Sequence, residues 1–184
     1  MNYFSTLDTR LFLLINHWQN KILNFLSLSI SWITEGGFLW FLIGVFIVIF
    51  DKIEKRRKAF LLILALLLSD WIVNVFFKLL IFCRERPYLV FPEVKVMGKI
   101  WHNCSFPSGH LASSTAALFV LRHFYDLKNK WFFIFSTIFL FLLGFSRIYV
   151  GMHYLSDVLG GILIGIISGF FVVYFDKQVR WVKN

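Results

Sequence analysis

The chain has 184 residues, 59% of them hydrophobic and 16% charged, with 24 Phe, 7 Trp and a formal net charge of +9. Its mean hydropathy is +0.74. A soluble fold of this length has no interior large enough to hide so much apolar surface, which excludes an ordinary globular domain and makes the bilayer the solvent.

In chain order, residues 7–15 followed by "NHWQNK" read either as an interfacial helix ending in a polar corner or as a first helix that starts early. A cleavable signal peptide is not expected, since the first Lys or Arg is Arg10 and no small-residue cleavage site follows a short apolar core. Apolar stretches then cover residues 21–33, 38–50, 59–82, 111–125, 131–145 and 154–175, with short polar connections and neither a low-complexity linker nor a tandem repeat. The predicted fold is all-α: one domain over residues 1–184, a polytopic membrane bundle of six transmembrane helices with a possible N-terminal interfacial helix. The first two stretches are short against the ~20 residues of a spanning helix, so tilt, extension or burial against neighbours must make up the difference.

Lys and Arg gather in "DKIEKRRK" (51–58, five), "LRHFYDLKNK" (121–130, three) and the tail "DKQVRWVKN" (three). With six spans these segments and the N-terminus share one face, which the positive-inside rule makes cytoplasmic in a bacterial inner membrane. The charge therefore reports topology and attraction to anionic lipid rather than nucleic-acid binding.

The opposite, periplasmic face receives Arg84, Arg86, Lys95, Lys99, His102, His110, Arg147 and His153 in two connections. Cations on the face that topology keeps poor in them imply an anionic ligand. His153 and Asp157 are four residues apart at the start of the last helix. That spacing puts them on one face with Cβ atoms about 5–6 Å apart, near enough for the carboxylate to orient the imidazole and leave its other nitrogen as nucleophile or base. Arg147 offers a bidentate fork to phosphate. In "PSGH" (107–110), Pro107 suits a helix start and Gly109 admits an anion to the free backbone N–H groups. Ser108 adds a hydroxyl donor, and His110 can hand a proton to a leaving group.

"Arg86-Pro87", "Pro107-Ser108-Gly109-His110" and "Ser146-Arg147 … His153 … Asp157" together resemble the three-part signature of the type 2 phosphatidic acid phosphatase superfamily, which holds integral-membrane lipid phosphatases and soluble vanadium haloperoxidases. The family lysine usually stands seven residues before the Arg of Arg-Pro, at position 79, where this chain has Leu79; Lys78 is one residue early. A one-residue helical bulge would absorb the offset. Otherwise Arg84 carries more of the charge. The resemblance implies that His153 attacks phosphorus to form a phosphohistidine, Asp157 orients it, and His110 protonates the leaving oxygen and later helps activate water. Lys78, Arg86, Arg147, Ser108 and Gly109 would hold the phosphate oxygens. No metal or other cofactor is implied, and no clustered Asp and Glu set suggests two-metal chemistry.

Singly, each residue has a plainer reading: His17, His102 and His123 as polar anchors, Asp157 as a helix-start charge, Arg147 as a snorkelling side chain. Asp70 and Asn74, at membrane depth, are expected to steady packing or to lie beneath the pocket, with packing favoured. Trp101, Trp131 and Trp181 fit interfacial belts. Cys83 and Cys104, both on the outer face, are expected either to form a disulfide or to remain free thiols. The partners expected are membrane lipid and a lipid phosphate beside the apolar "YLVF" (88–91); Lys95 and Lys99 tilt the choice toward lipid A 1-phosphate, ahead of undecaprenyl diphosphate and phosphatidylglycerophosphate. A transporter predicts substrate passage and paired half-helices instead, and a scaffold predicts that His153 is dispensable.

Overall fold

A computed structural model of the chain describes residues 3–50, 53–124, 127 and 129–181, and the described residues contain helices and no strand. In order these are α1 (Tyr3–His17), α2 (Lys21–Ile33), a 3-10 turn (Glu35–Gly37), α3 (Phe38–Phe50), α4 (Ile53–Trp71) continuing into a π-helical segment (Ile72–Ile81), the short α5 (Pro87–Val90), α6 (Gly109–Phe124), α7 (Lys130–Tyr149) and α8 (Leu155–Trp181). Local chemistry marks several starts. Asn20 and Asn129 cap α2 and α7 by accepting from Leu23 N at 2.9 Å and Phe132 N at 2.8 Å, and Pro87 opens α5 where its missing N–H costs nothing. Residues 51–52, 125–126, 128 and 182–184, which include Lys52, Tyr125, Lys128 and Lys183 of the predicted connections and helix end, lie outside the described residues, as do the side chains of Lys55, Arg180 and Trp181.

α6 is the central helix. Its run Leu111 to Leu118 is buried and small-residue rich, and α8 makes the most extensive contact with it. Gly161 and Gly165 make this approach possible, because a Cβ on Gly161 would collide with the carbonyl oxygen of Ser108 and one on Gly165 would lie 2.5 Å from Ala112 O and Thr115 Cβ. Without a hydrophobic drive between helices in lipid, such small-residue faces are what lets backbones pack. Phe133, Ile138 and Phe141 of α7 and Leu159, Leu163 and Phe170 of α8 remain exposed, forming the surface turned to lipid.

Three helical stretches, Arg56–Ile81, Lys130–Tyr149 and Leu155–Val179, are long and apolar enough to cross a bilayer. The predicted first and second spans are corrected by the structure: α2 and α3 are a bent pair inclined by 42°. They continue in one direction rather than forming a hairpin, since the pair descends α7 from Tyr149 (Asn24 Oδ1, 2.6 Å) through Ser146 (Ser31 Oγ, 3.3 Å) to Phe139 (the Trp40 ring, 5.6 Å). The two glycines of the "TEGG" connection have positive φ, 58° and 75°, in a 3-10 turn that kinks the path without reversing it. α6, although only 16 residues, runs beside α8 from Gly161 against Ser108 to Gly169 against Phe119.

Among the described residues the bent pair thus counts as one span, which with the three long helices gives four by length and composition, and five passes when α6 beside α8 is counted, where six were expected. α1 caps one end of the bundle: Asn16 Nδ2 donates to Lys95 O and Tyr149 O, both at 2.9 Å, and Asp8 pairs with Arg84 at 2.9 Å. That fits the interfacial reading of this segment, but at the end opposite the three basic connections, whereas six spans place the N-terminus among them.

Candidate active site

At the end capped by α1, the loops after the π segment and after α7 meet the start of α6 around a cavity of about 290 Å³. Lys78, Arg86, Gly109, His110, Arg147 and His153 line it, six of the eight residues singled out in the sequence. The other two, Ser108 and Asp157, are fully buried behind the wall, where Ser108 N donates to Asp157 O at 3.0 Å and ties the start of α6 to the first turn of α8.

His153 Nδ1 faces Asp157 Oδ2 at 3.4 Å. The contact brings the pair together without hydrogen-bond geometry, and Nδ1 has no hydrogen-bond partner among the described residues. Asp157 is itself fixed on both oxygens: Oδ2 accepts from Tyr154 N at 2.9 Å and Oδ1 from Arg84 at 3.0 Å. The carboxylate therefore cannot swing away from the imidazole. Nδ1 being turned to Asp157, Nε2 is the nitrogen available for attack. Burial first, then the charges of Arg86, Arg147 and Lys78, hold His153 well below its ordinary value of 6.5. The ring is therefore neutral at pH 7.

Arg84 has the role of a brace. It bridges Asp157 and Asp8, donates to Ser156 Oγ at 2.6 Å and lies 3.6 Å over the Tyr154 ring. It does not line the cavity. The alternative that Arg84 substitutes for the displaced lysine is therefore not supported. Lys78 lines the cavity instead, while Leu79, at the family position, is 74% exposed on the outside of the helix. The extra residue is taken up by the π-helical segment 72–81 in which Lys78 sits, a widened turn of the kind the offset called for.

Arg86 is buried and hydrogen-bonded to Asn103 O at 2.9 Å, Asn103 Oδ1 at 2.6 Å and Met152 O at 3.0 Å, so its guanidinium also staples the two site loops together. Burial lowers its pKa from the ordinary value, and it remains a cation. Arg147 is 6% exposed and its Nε has no hydrogen-bond partner among the described residues, nor has the buried Ser108 Oγ. Unpaired donors converging with cations are what an anion with several acceptor oxygens would satisfy. Cys83 and Cys104 are joined in a disulfide that fastens the end of the π segment to the stretch before Pro107.

Sequence reasoning missed Asp8, 149 residues from Asp157, because nothing near it in the chain marks it. It also preferred packing for Asp70 and Asn74. Both are exposed and line the cavity, with Asn74 Nδ2 donating to Asp70 Oδ1 at 2.6 Å. Lys99 stands at the mouth, 3.8 Å from Glu35 and 4.1 Å over the Trp101 ring.

The profile of the PAP2 superfamily matches residues 58–181, which hold every one of the eight signature residues. The chain belongs to the PAP2 superfamily. Among PAP2 relatives, a lipid A 4'-phosphatase of Porphyromonas gingivalis is 32% identical over 98% of this chain and 78% of its own length. An undecaprenyl-diphosphatase of Sulfolobus acidocaldarius is 30% identical over 92% of this chain and 79% of its own. Of solved PAP2 structures, LpxE of Aquifex aeolicus superposes with a TM-score of 0.74 at 29% identity, covering 90% of this chain and 93% of that one. The transmembrane phosphatidylglycerolphosphate phosphatase of Bacillus subtilis reaches 0.78 at 24% identity, over 97% and 89%, and so shares the fold. The protein is a membrane PAP2 phosphatase.

Proposed function

We propose that this phosphatase removes a phosphate group from a membrane lipid phosphate at the periplasmic face of the inner membrane, through a phosphohistidine. The observation that carries the reading is the convergence of His153, His110, Lys78, Arg86 and Arg147 on one cavity at the bundle end opposite the basic connections. In the first step the lipid phosphate sits among the three cations, the Gly109 backbone and Ser108. His153 Nε2 attacks phosphorus as the P–O bond to the lipid breaks, and His110 gives a proton to the leaving oxygen. In the second, His110 takes a proton from water, the water oxygen bonds to phosphorus, and the N–P bond breaks to release phosphate. The cations neutralise the charge that develops, which is why the reaction is proposed to proceed without metal.

Lipid A phosphate is the preferred substrate. The lipid A 4'-phosphatase relative spans nearly the whole chain, and Lys99 stands at the mouth, where a large anionic head group would enter. The position released, 1 or 4', is a matter for product analysis; undecaprenyl diphosphate and phosphatidylglycerophosphate are the alternatives. The test is phosphate release in detergent with EDTA from lipid A, undecaprenyl diphosphate, phosphatidylglycerophosphate and phosphatidic acid, beside His153→Ala. We expect EDTA-resistant release that is fastest from lipid A and lost in His153→Ala. Release that persists in the variant would sink the mechanism, and another ranking would replace the substrate.

A further inference from the structure

The cavity lining divides by character. Arg86, His110, Arg147 and His153 come from the site loops and the start of α6, whereas Glu35 from the kink between α2 and α3, with Asp70 and Asn74 from the junction of α4 and the π segment, bring acceptors, and Lys78 follows the last two on the same helix. Leu66, Asp70, Asn74 and Lys78 all line it at intervals of four. The change from α to π turns keeps that stripe on one side of the helix, so the same stripe ends in Lys78 and carries Asn74 and Asp70 one and two steps before it. A carboxylate at bilayer depth is costly unless it faces a polar cavity with work to do.

Two further observations bear on what the cavity holds. Arg147 Nε, in a side chain that is 6% exposed, has no hydrogen-bond partner among the described residues and lines this cavity, as a donor in an anion site would. Its volume of about 290 Å³ also compares with roughly 30 Å³ for one water, several times what a phosphate group fills.

We propose that Glu35, Asp70 and Asn74 form a subsite for the alcohol side of the phosphate ester, and that they select an ester whose alcohol bears hydroxyl or amide N–H donors, as a phosphorylated amino sugar does. This rests on the phosphatase reading above and deepens it. The Asn74 amide already donates to Asp70 Oδ1, which leaves Asp70 Oδ2 and Asn74 Oδ1 as acceptors for sugar donors. The same carboxylates repel a second phosphate, so a diphosphate is disfavoured where the phosphorylated sugar is favoured. Lys99, 3.8 Å from Glu35 and largely exposed, tempers that repulsion at the mouth only.

The experiment compares kcat/KM for lipid A, phosphatidic acid and undecaprenyl diphosphate in the wild type, Asp70→Asn, Glu35→Gln and the lipid-facing control Leu79→Ala. The expected result is a fall of at least tenfold in the ratio of lipid A to phosphatidic acid in Asp70→Asn and Glu35→Gln, residing in KM. The ratio of undecaprenyl diphosphate to phosphatidic acid should rise, and Leu79→Ala should keep both wild-type ratios. Equal losses on all three lipids, or unchanged ratios, would overturn the subsite while leaving the phosphatase reading intact. A wild type with no His153-dependent release from any of them would overturn both.

Discussion

His153 is held by a carboxylate that is held in turn, and this ordering makes the cost of each substitution distinct. His153→Ala removes the proposed nucleophile and should lower kcat by several orders of magnitude. Asp157→Asn keeps the imidazole but loses the charge facing Nδ1, so it should cost less, on the order of 10²–10⁴-fold, the range that follows loss of the correct tautomer in comparable dyads. Single-turnover assays with trapping of the phosphohistidine would check this ranking. Proton uptake gives a second test. The unfolded chain binds a proton at His153 near pH 6.5 and the folded chain does not, because its pKa is depressed. Stability should therefore fall as pH drops below about 6.5, by up to about 1.4 kcal/mol per pH unit from this group. The thermal midpoint in detergent should decline with that slope between pH 6.5 and 5.5, and less steeply in His153→Gln.

Two elements set the positions of these side chains. The π segment places Lys78 in the cavity although it is out of step with the family spacing. Lys78→Ala should remove this cation and lower kcat/KM at least tenfold, whereas Leu79→Ala should be nearly silent; kinetics on the two variants separate a role for the lysine placed by the widened turn from one for the family position. The α6–α8 pair is the second element. It holds Ser108 against Asp157 only because glycine stands at 161 and 165. Gly165→Val should overpack this contact and cost about 1–3 kcal/mol or more, measurable as a lowered thermal midpoint. The disulfide joins the two halves of the phosphate site across a separation of 21 residues, and on loop-closure grounds its reduction should cost about 3 kcal/mol.

For the whole molecule, a five-pass path predicts that the two ends of the chain lie on opposite sides of the membrane. The three basic connections still share one end, because losing one crossing at the start of the chain moves only what precedes it. Reporter fusions at the N- and C-termini should therefore report opposite compartments, with the C-terminus cytoplasmic by the positive-inside rule. Both reporters in the cytoplasm would restore six crossings and overturn the bent-pair topology.

Much of this was open to the sequence. Composition alone specifies the bilayer as solvent, because apolar surface has to go somewhere, and the spacing of His153 from Asp157 places them on one helical face whatever surrounds them. The signature residues pointed to a phosphate site, and six of them share one cavity. What only the tertiary structure decided depends on contacts between distant segments or on the exact path of the backbone. Gly36 and Gly37 permit a kink as readily as a reversal, and packing against α7 chose the kink. Asp8 acquires meaning only when α1 folds over Arg84, and Asp70 and Asn74 become one wall of a cavity only because the π turn aligns them with Lys78.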